Sequence, residues 1–158
     1  MMLRLAVQAM ALLAMALWGG APALAATDFS GEWTLNVARS DFGRANPPRA
    51  MVMKVRQNDA QLAVESTLSD ARGDSTSRYT LDLTGKETEN VMRGNRVVSQ
   101  SAWRGPSLYV KARTAVQGVE VKTVDQWQME DGGRLLTIYR TATTPNGEIE
   151  QRFVYEKH

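Results

Sequence analysis

The chain has 158 residues, with 19 Lys and Arg against 17 Asp and Glu for a net charge of +2, no cysteine, and a single histidine, His158. Without cysteine there is no disulfide, thiolate nucleophile or lipid-modified cysteine, and without internal histidine no Ser–His or Cys–His pair, imidazole zinc site or haem-ligating histidine. The near-balanced charge, with no basic cluster, gives no electrostatic basis for binding nucleic acid or an acidic membrane surface, no Gly-rich phosphate loop occurs, and neither a metal nor a cofactor is expected.

Residues 1–25 read as a cleavable signal peptide. Arg4 supplies a basic start, an apolar run extends from Leu5 to Trp18, Gly19-Gly20 and Pro22 break it, and Ala23-Leu24-Ala25 offers small residues at the cleavage site. The run is short for a membrane span, which needs about 20 residues. Cleavage after Ala25 leaves 26–158 as a single domain without a second apolar stretch, and an exported chain lacking cysteine points to a bacterial periplasm or medium.

Past the leader the pattern is alternation with period two, the mark of half-buried strands. The first strand, 29–36, places Phe29, Gly31, Trp33 and Leu35 on one face. Residues 36–50 break the rhythm: Pro47-Pro48 forbids a central strand, and Ser40-Asp41 suits the cap of one helical turn, so the segment is expected to cross one end of a barrel. Strands are then predicted at 51–57, 61–68, 78–83, 89–92, 97–103, 108–114, 119–129, 135–141 and 149–155. Turn chemistry separates them, including Arg93-Gly94, Gln117-Gly118, Asp131-Gly132 and Pro145-Asn146-Gly147, where Gly and Asn accept positive φ and Pro fixes its own φ at a negative, turn-compatible value. Ten strands joined by hairpins predict an all-β antiparallel meander, closed as a barrel because closure removes exposed edges, with little helix.

The opening Phe29-Ser-Gly31-Glu-Trp33-Thr-Leu35 carries the Gly-x-Trp that resembles the start of the calycin superfamily, which includes lipocalins, fatty-acid-binding proteins and avidins. The end, Arg152-Phe-Val-Tyr-Glu-Lys157, is similar to the closing strand of fatty-acid-binding proteins, which ends Arg-x-Tyr-Glu-Lys. The passage also resembles small exported bacterial lipocalin-like proteins of unassigned function, which share the pattern SGxWxLN, SDFG and PP. The resemblance implies a calycin-like barrel with Trp33 at its closed base beside Gly31, covered by a basic residue for which Arg152 and Arg140 are the candidates. There are departures. A Pro-Pro loop replaces the helical lid that follows the first strand in fatty-acid-binding proteins. Tyr155 fills the Tyr position of their carboxylate site, Phe153 stands at the Arg position, and Arg152 is one residue away, hence on the opposite strand face.

Arg140 is the polar residue of most interest, since it shares a face with Leu136 and Ile138. A two-residue turn at Asp131-Gly132 would pair Thr123 with Arg140 and set Asp125 diagonally beside it. If that face points inward, Arg140 anchors an anionic head group and Asp125 orients it; if not, they form an ordinary surface pair. Trp103 and Trp127 end strands just before turns, where they either pack the base or line a pocket. The first functional expectation is an exported, non-catalytic protein holding a small apolar or amphipathic ligand such as a lipid. Trp103, Trp127, Tyr109, Phe153 and Tyr155 would form its walls. The alternatives are a filled barrel acting through its surface as an envelope interaction or inhibitor protein, and an enzyme built on two carboxylates.

Overall fold

The computed structural model describes residues 25–158; the leader expected at 1–25 lies outside the described residues apart from Ala25. The fold is all-β. Its ten strands are β1 (Gly31–Leu35), β2 (Ala50–Gln57), β3 (Gln61–Asp70), β4 (Gly73–Asp82), β5 (Glu87–Met92), β6 (Asn95–Arg104), β7 (Ser107–Val116), β8 (Val119–Glu130), β9 (Leu135–Thr144) and β10 (Gly147–Lys157). They form one antiparallel sheet in the order β4-β3-β2-β1-β10-β9-β8-β7-β6-β5. All neighbours are sequential except the β1–β10 pair, which joins the chain's two ends, for instance Leu35 opposite Tyr155.

The sheet curls into a nearly closed, calycin-like barrel whose seam lies between β4 and β5. No backbone ladder spans that seam. Side chains of β5 bridge it instead: Asn90 Oδ1 accepts from the Thr80 N–H at 2.9 Å, Asn90 Nδ2 donates to the Thr80 carbonyl at 2.8 Å, and Thr88 Oγ1 accepts from the Asp82 N–H at 3.0 Å. These amide and hydroxyl groups satisfy part of the edge that would otherwise be left unpaired.

Strand directions give the barrel two unlike ends. The base gathers the 28–30 strap, the 58–60 and 83–86 connections, Gly105-Pro106 and 131–134. The mouth gathers the two-residue turns of the other hairpins and the 36–49 segment. Arg93-Gly94 and Gln117-Gly118 are tight mouth turns in which both residues have positive φ, the geometry that follows the strands' own twist.

Three expectations are corrected. The helical turn in the 36–50 segment is Val37–Arg39, capped by Asn36, whose side chain accepts from the Arg39 N–H; Ser40 and Asp41 follow it. The β4 strand starts at Gly73 rather than at 78, because the polar residues after the turn continue the β3–β4 hairpin beyond the core. The β8–β9 connection has four residues, 131–134, with Glu130 opposite Leu135. Register therefore moves by two residues from the expected one, which keeps every side chain on its face and sets Asp125 directly opposite Arg140.

The packed core sits at the base. Phe29, Trp33, Leu62, Leu108 and Leu136 are fully buried. The Trp33 indole N–H donates to the Phe29 carbonyl at 2.9 Å, closing the strap over the base. Phe29 meets Trp127 edge to face at 5.6 Å and stacks on Trp103 at 5.9 Å, arrangements aromatic quadrupoles favour. Gln57 ties the strap to β2: its Oε1 accepts from the Phe29 N–H at 2.9 Å and its Nε2 donates to the Thr27 carbonyl at 2.8 Å.

Candidate functional site

Above the base the same strands enclose a cavity of about 590 Å³. It exists because the inward positions at this level carry small side chains. Ser66 and Ser77 lie side by side across β3 and β4, and Ser99, Ala112 and Thr123 across β6, β7 and β8. One inward step lower on β3 and β7 stand Val64 and Val110, both buried. Substituting Ser or Ala for a branched side chain at an inward position leaves room that a close-packed interior would otherwise fill.

The mouth is partly covered by the 36–49 segment, whose Phe42, Ala45 and Pro48 line the cavity. This segment runs beside β10 before crossing: Asp41 and Arg152 exchange backbone hydrogen bonds at 2.7 and 2.8 Å, and the Gln151 Nε2 donates to the Phe42 carbonyl at 3.0 Å. Gly43 makes the turn possible, with φ of +59° and a position where a Cβ would stand 2.8 Å from the Glu150 carbonyl oxygen. Phe42 then reaches Phe153 edge to face at 5.8 Å.

One polar cluster interrupts the mainly apolar lining. Arg140 Nε and Nη2 donate to the two carboxylate oxygens of Asp125 at 2.7 and 2.6 Å, a bidentate pair. Asp125 is buried. The Arg140 side chain is 37 % exposed, and because Arg140 lines the cavity that exposure is to the cavity interior. Burial alone would lower the Arg140 pKa; the charge and hydrogen bonds of Asp125 outweigh it and hold the guanidinium above its ordinary value. The guanidinium also lies 5.4 Å from the centre of the Phe153 ring. Tyr79 and Tyr155 complete the cluster. Burial pushes both phenols up, Tyr155 to about 12, with Asp125 reinforcing the shift and Arg140 opposing it in each. The Tyr155 hydroxyl lies 3.5 Å from Met51 Sδ. Below this level the Trp127 indole N–H and the Ser101 hydroxyl are buried and have no hydrogen-bond partner among the described residues.

The structure brings five of the expected site residues together. Arg140, Asp125, Tyr155, Phe153 and Trp127 all line the cavity. Tyr109 does not: Leu108 and Val110 on either side of it point inward, so Tyr109 faces out, beneath the Arg104 guanidinium at 4.6 Å. Trp103 packs the base against Phe29 instead of walling the cavity. Gly31 and Trp33 do stand at the base, but Arg152 is exposed and pairs with Asp41 near the mouth-side segment. The cation over Trp33 is Lys157, with Nζ 5.3 Å from the ring; Lys157 lies opposite Trp33 across the β1–β10 ladder, where Arg140 and Arg152 cannot reach. Gly31, with φ of +141°, leaves room for the Lys157 stem, whose Cε would be 2.7 Å from an added Cβ.

The residues that sequence reasoning passed over are Ser66, Ser77, Ser99, Ala112 and Phe42. The available signal was small residues recurring at inward-phase positions of successive strands.

No protein-family model and no curated protein sequence matches the chain. Solved structures of the same shape exist. A secretory abundant heat soluble protein from Ramazzottius varieornatus superposes with a TM-score of 0.57 at 12% identity, over 84% of this chain and 96% of that one. Zebrafish ileal bile acid-binding protein complexed with cholic acid gives 0.56 at 14% identity, over 82% and 98%. Human cRBP IV gives 0.51 at 13% identity, over 84% and 99%. At such identities the likeness establishes the fold, a calycin-type barrel, across nearly the whole length of each neighbour.

Proposed function

We propose that this chain is a binding protein that encloses a small apolar or amphipathic molecule in the upper half of its barrel, and that it works outside the cytoplasm after removal of residues 1–25. One observation carries the binding role: a cavity of about 590 Å³ inside the barrel, lined mainly by apolar side chains and interrupted by one polar cluster. Ligand sites have this construction and this size, about 300–1,000 Å³. Met51, Met53 and Met92 give the wall adaptable surface, and Arg140, Asp125, Tyr79 and Tyr155 give it one point for orienting a polar end. A neighbour of the same shape is described with cholic acid, which supports the choice of ligand size. Export rests on the order of charge, apolar run and small residues at 1–25.

The alternative of a surface-acting protein gains no support from the 36–49 segment, since its Phe42, Ala45 and Pro48 turn into the cavity. The carboxylate-enzyme alternative needs two acids facing one cleft. Among the described residues Asp125 is the one acid in the cavity lining, and Arg140 holds both of its oxygens.

Intact-mass spectrometry of protein recovered from the periplasm of an exporting bacterial host tests both parts. The expected species is residues 26–158 carrying a co-purified apolar molecule under native conditions. Full-length chain held in the cytoplasm overturns export, and failure to take up any apolar compound overturns the binding role.

A further inference from the structure

Two formal charges lie deep in the cavity, Arg140 and Asp125, and they neutralise each other through two short hydrogen bonds at 2.7 and 2.6 Å. Arg93 is the other charged residue in the lining. It stands exposed in the β5–β6 turn at the mouth, where water and salt screen its field. The remaining polar groups of the lining are neutral: the hydroxyls of Ser66, Ser77, Ser99, Thr114 and Thr123, the amides of Asn90, Asn95 and Gln151 and the Trp127 indole, and the phenols of Tyr79 and Tyr155, which burial keeps protonated. The inner cavity thus has hydrogen-bonding capacity and no net charge.

We propose that the cavity selects an uncharged ligand, an apolar chain or ring system bearing a hydroxyl, over the carboxylate of the same skeleton. The proposal deepens, and rests on, the reading of the cavity as a ligand site. A hydroxyl both donates and accepts. It can give its proton to an Asp125 oxygen and accept from a free N–H of Arg140, joining the pair without opening it. A carboxylate only accepts. To bind Arg140 it must displace Asp125, leaving a buried carboxylate without its counter-charge, or sit beside the intact pair and add an unbalanced negative charge inside an apolar wall. Either course carries a desolvation penalty that the hydroxyl avoids. An ammonium end meets the same difficulty at Arg140. The expectation of an anionic head group held by Arg140 is replaced on this view, because the acceptor that such a head would supply is already built in as Asp125.

The discriminating experiment uses three probes of one chain length, 1-dodecanol, dodecanoate and dodecylammonium. Each displaces Nile red, a neutral apolar dye, from the protein spanning residues 26–158 at pH 8, where the acid is ionised. Dodecanol is expected to bind about tenfold or more tightly than dodecanoate, the scale of an unpaired buried charge. In Asp125→Asn the guanidinium loses its counter-charge, and the preference is expected to invert toward dodecanoate by about tenfold. In the double variant Asp125→Asn, Arg140→Gln the cavity is again neutral, and dodecanol is expected to regain its advantage. Wild-type protein that binds dodecanoate as tightly as dodecanol overturns the proposal, and this arm decides alone if the variants fail to fold. Protein that takes up neither the dye nor any of the three probes overturns the ligand-site reading itself, a result distinct from the wrong ranking.

Discussion

The lower and upper halves of the barrel interior are built by the same strands with the same alternation, yet one is packed solid and the other is hollow. In the lower half the inward positions carry Trp33, Leu62, Leu108 and Leu136, and the 28–30 strap adds Phe29 as a plug. In the upper half the inward positions carry Ser66, Ser77, Ser99, Ala112 and Thr123 around the Arg140–Asp125 pair. Backbone pattern decides which residues point in. Side-chain volume at those positions decides whether the interior becomes a core or a container. The large residues of the base hold the barrel's shape while the upper half remains open.

Mutations on the two sides of this division are expected to separate stability from binding. The largest effect belongs to the base: Trp33→Ala removes a fully buried indole and its bond to Phe29, and should cost about 3–5 kcal/mol in urea unfolding. A loss below about 1 kcal/mol would mean that the base is not the core. Asp125→Ala opens the charge pair and should cost about 1–3 kcal/mol by the same measurement, since it leaves a guanidinium unpaired in the cavity. Lys157→Ala removes the cation over Trp33 and should cost about 0.5–1 kcal/mol. At the other extreme, Ala112→Leu places volume in the hollow half. Its stability should stay within about 0.5 kcal/mol of wild type, while Nile red affinity falls. Equal dye binding in this variant would place the dye elsewhere. Tyr109→Ala, on the outer surface, should leave dye affinity unchanged.

The phenols give a pH test of the same boundary. Tyr155 ionises near 10 in the unfolded chain and about 12 in the folded one, because burial disfavours the phenolate. Its stabilising contribution is therefore complete below pH 10 and is lost as pH rises through 12. Melting temperature should fall across this window, and Tyr155→Phe should flatten the fall. A variant curve parallel to wild type would show that Tyr155 is not shielded as the structure has it.

Much of the barrel was legible because the alternation is strong in segments such as Gln61–Asp70 and Glu130 to Leu135 is bounded by clear turn residues. The shared face of Asp125 and Arg140 was legible for the same reason. Their direct opposition was not, because Asp131-Gly-Gly-Arg134 supports both a two-residue and a four-residue connection, and both put the pair on one face. Tyr109 was misplaced because Leu108-Tyr-Val110 is apolar on both faces, so its periodicity does not say which one is inward. Lys157 was passed over as the cover of Trp33 because β1–β10 register joins residues more than a hundred positions apart, and nothing local sets it. The cavity itself was least legible: small residues read as ordinary strand composition until neighbouring strands bring them side by side.

The central claim is that the upper half holds a ligand while the base does not. The most direct measurement is an amide and side-chain NMR titration of residues 26–158 with 1-dodecanol. Shifts are predicted at Ser66, Ser99, Ala112, Thr123 and Arg140, with Leu62 and Leu108 unmoved. Shifts confined to the outer surface around Tyr109 and Val119, or no shifts at any position, would contradict the account.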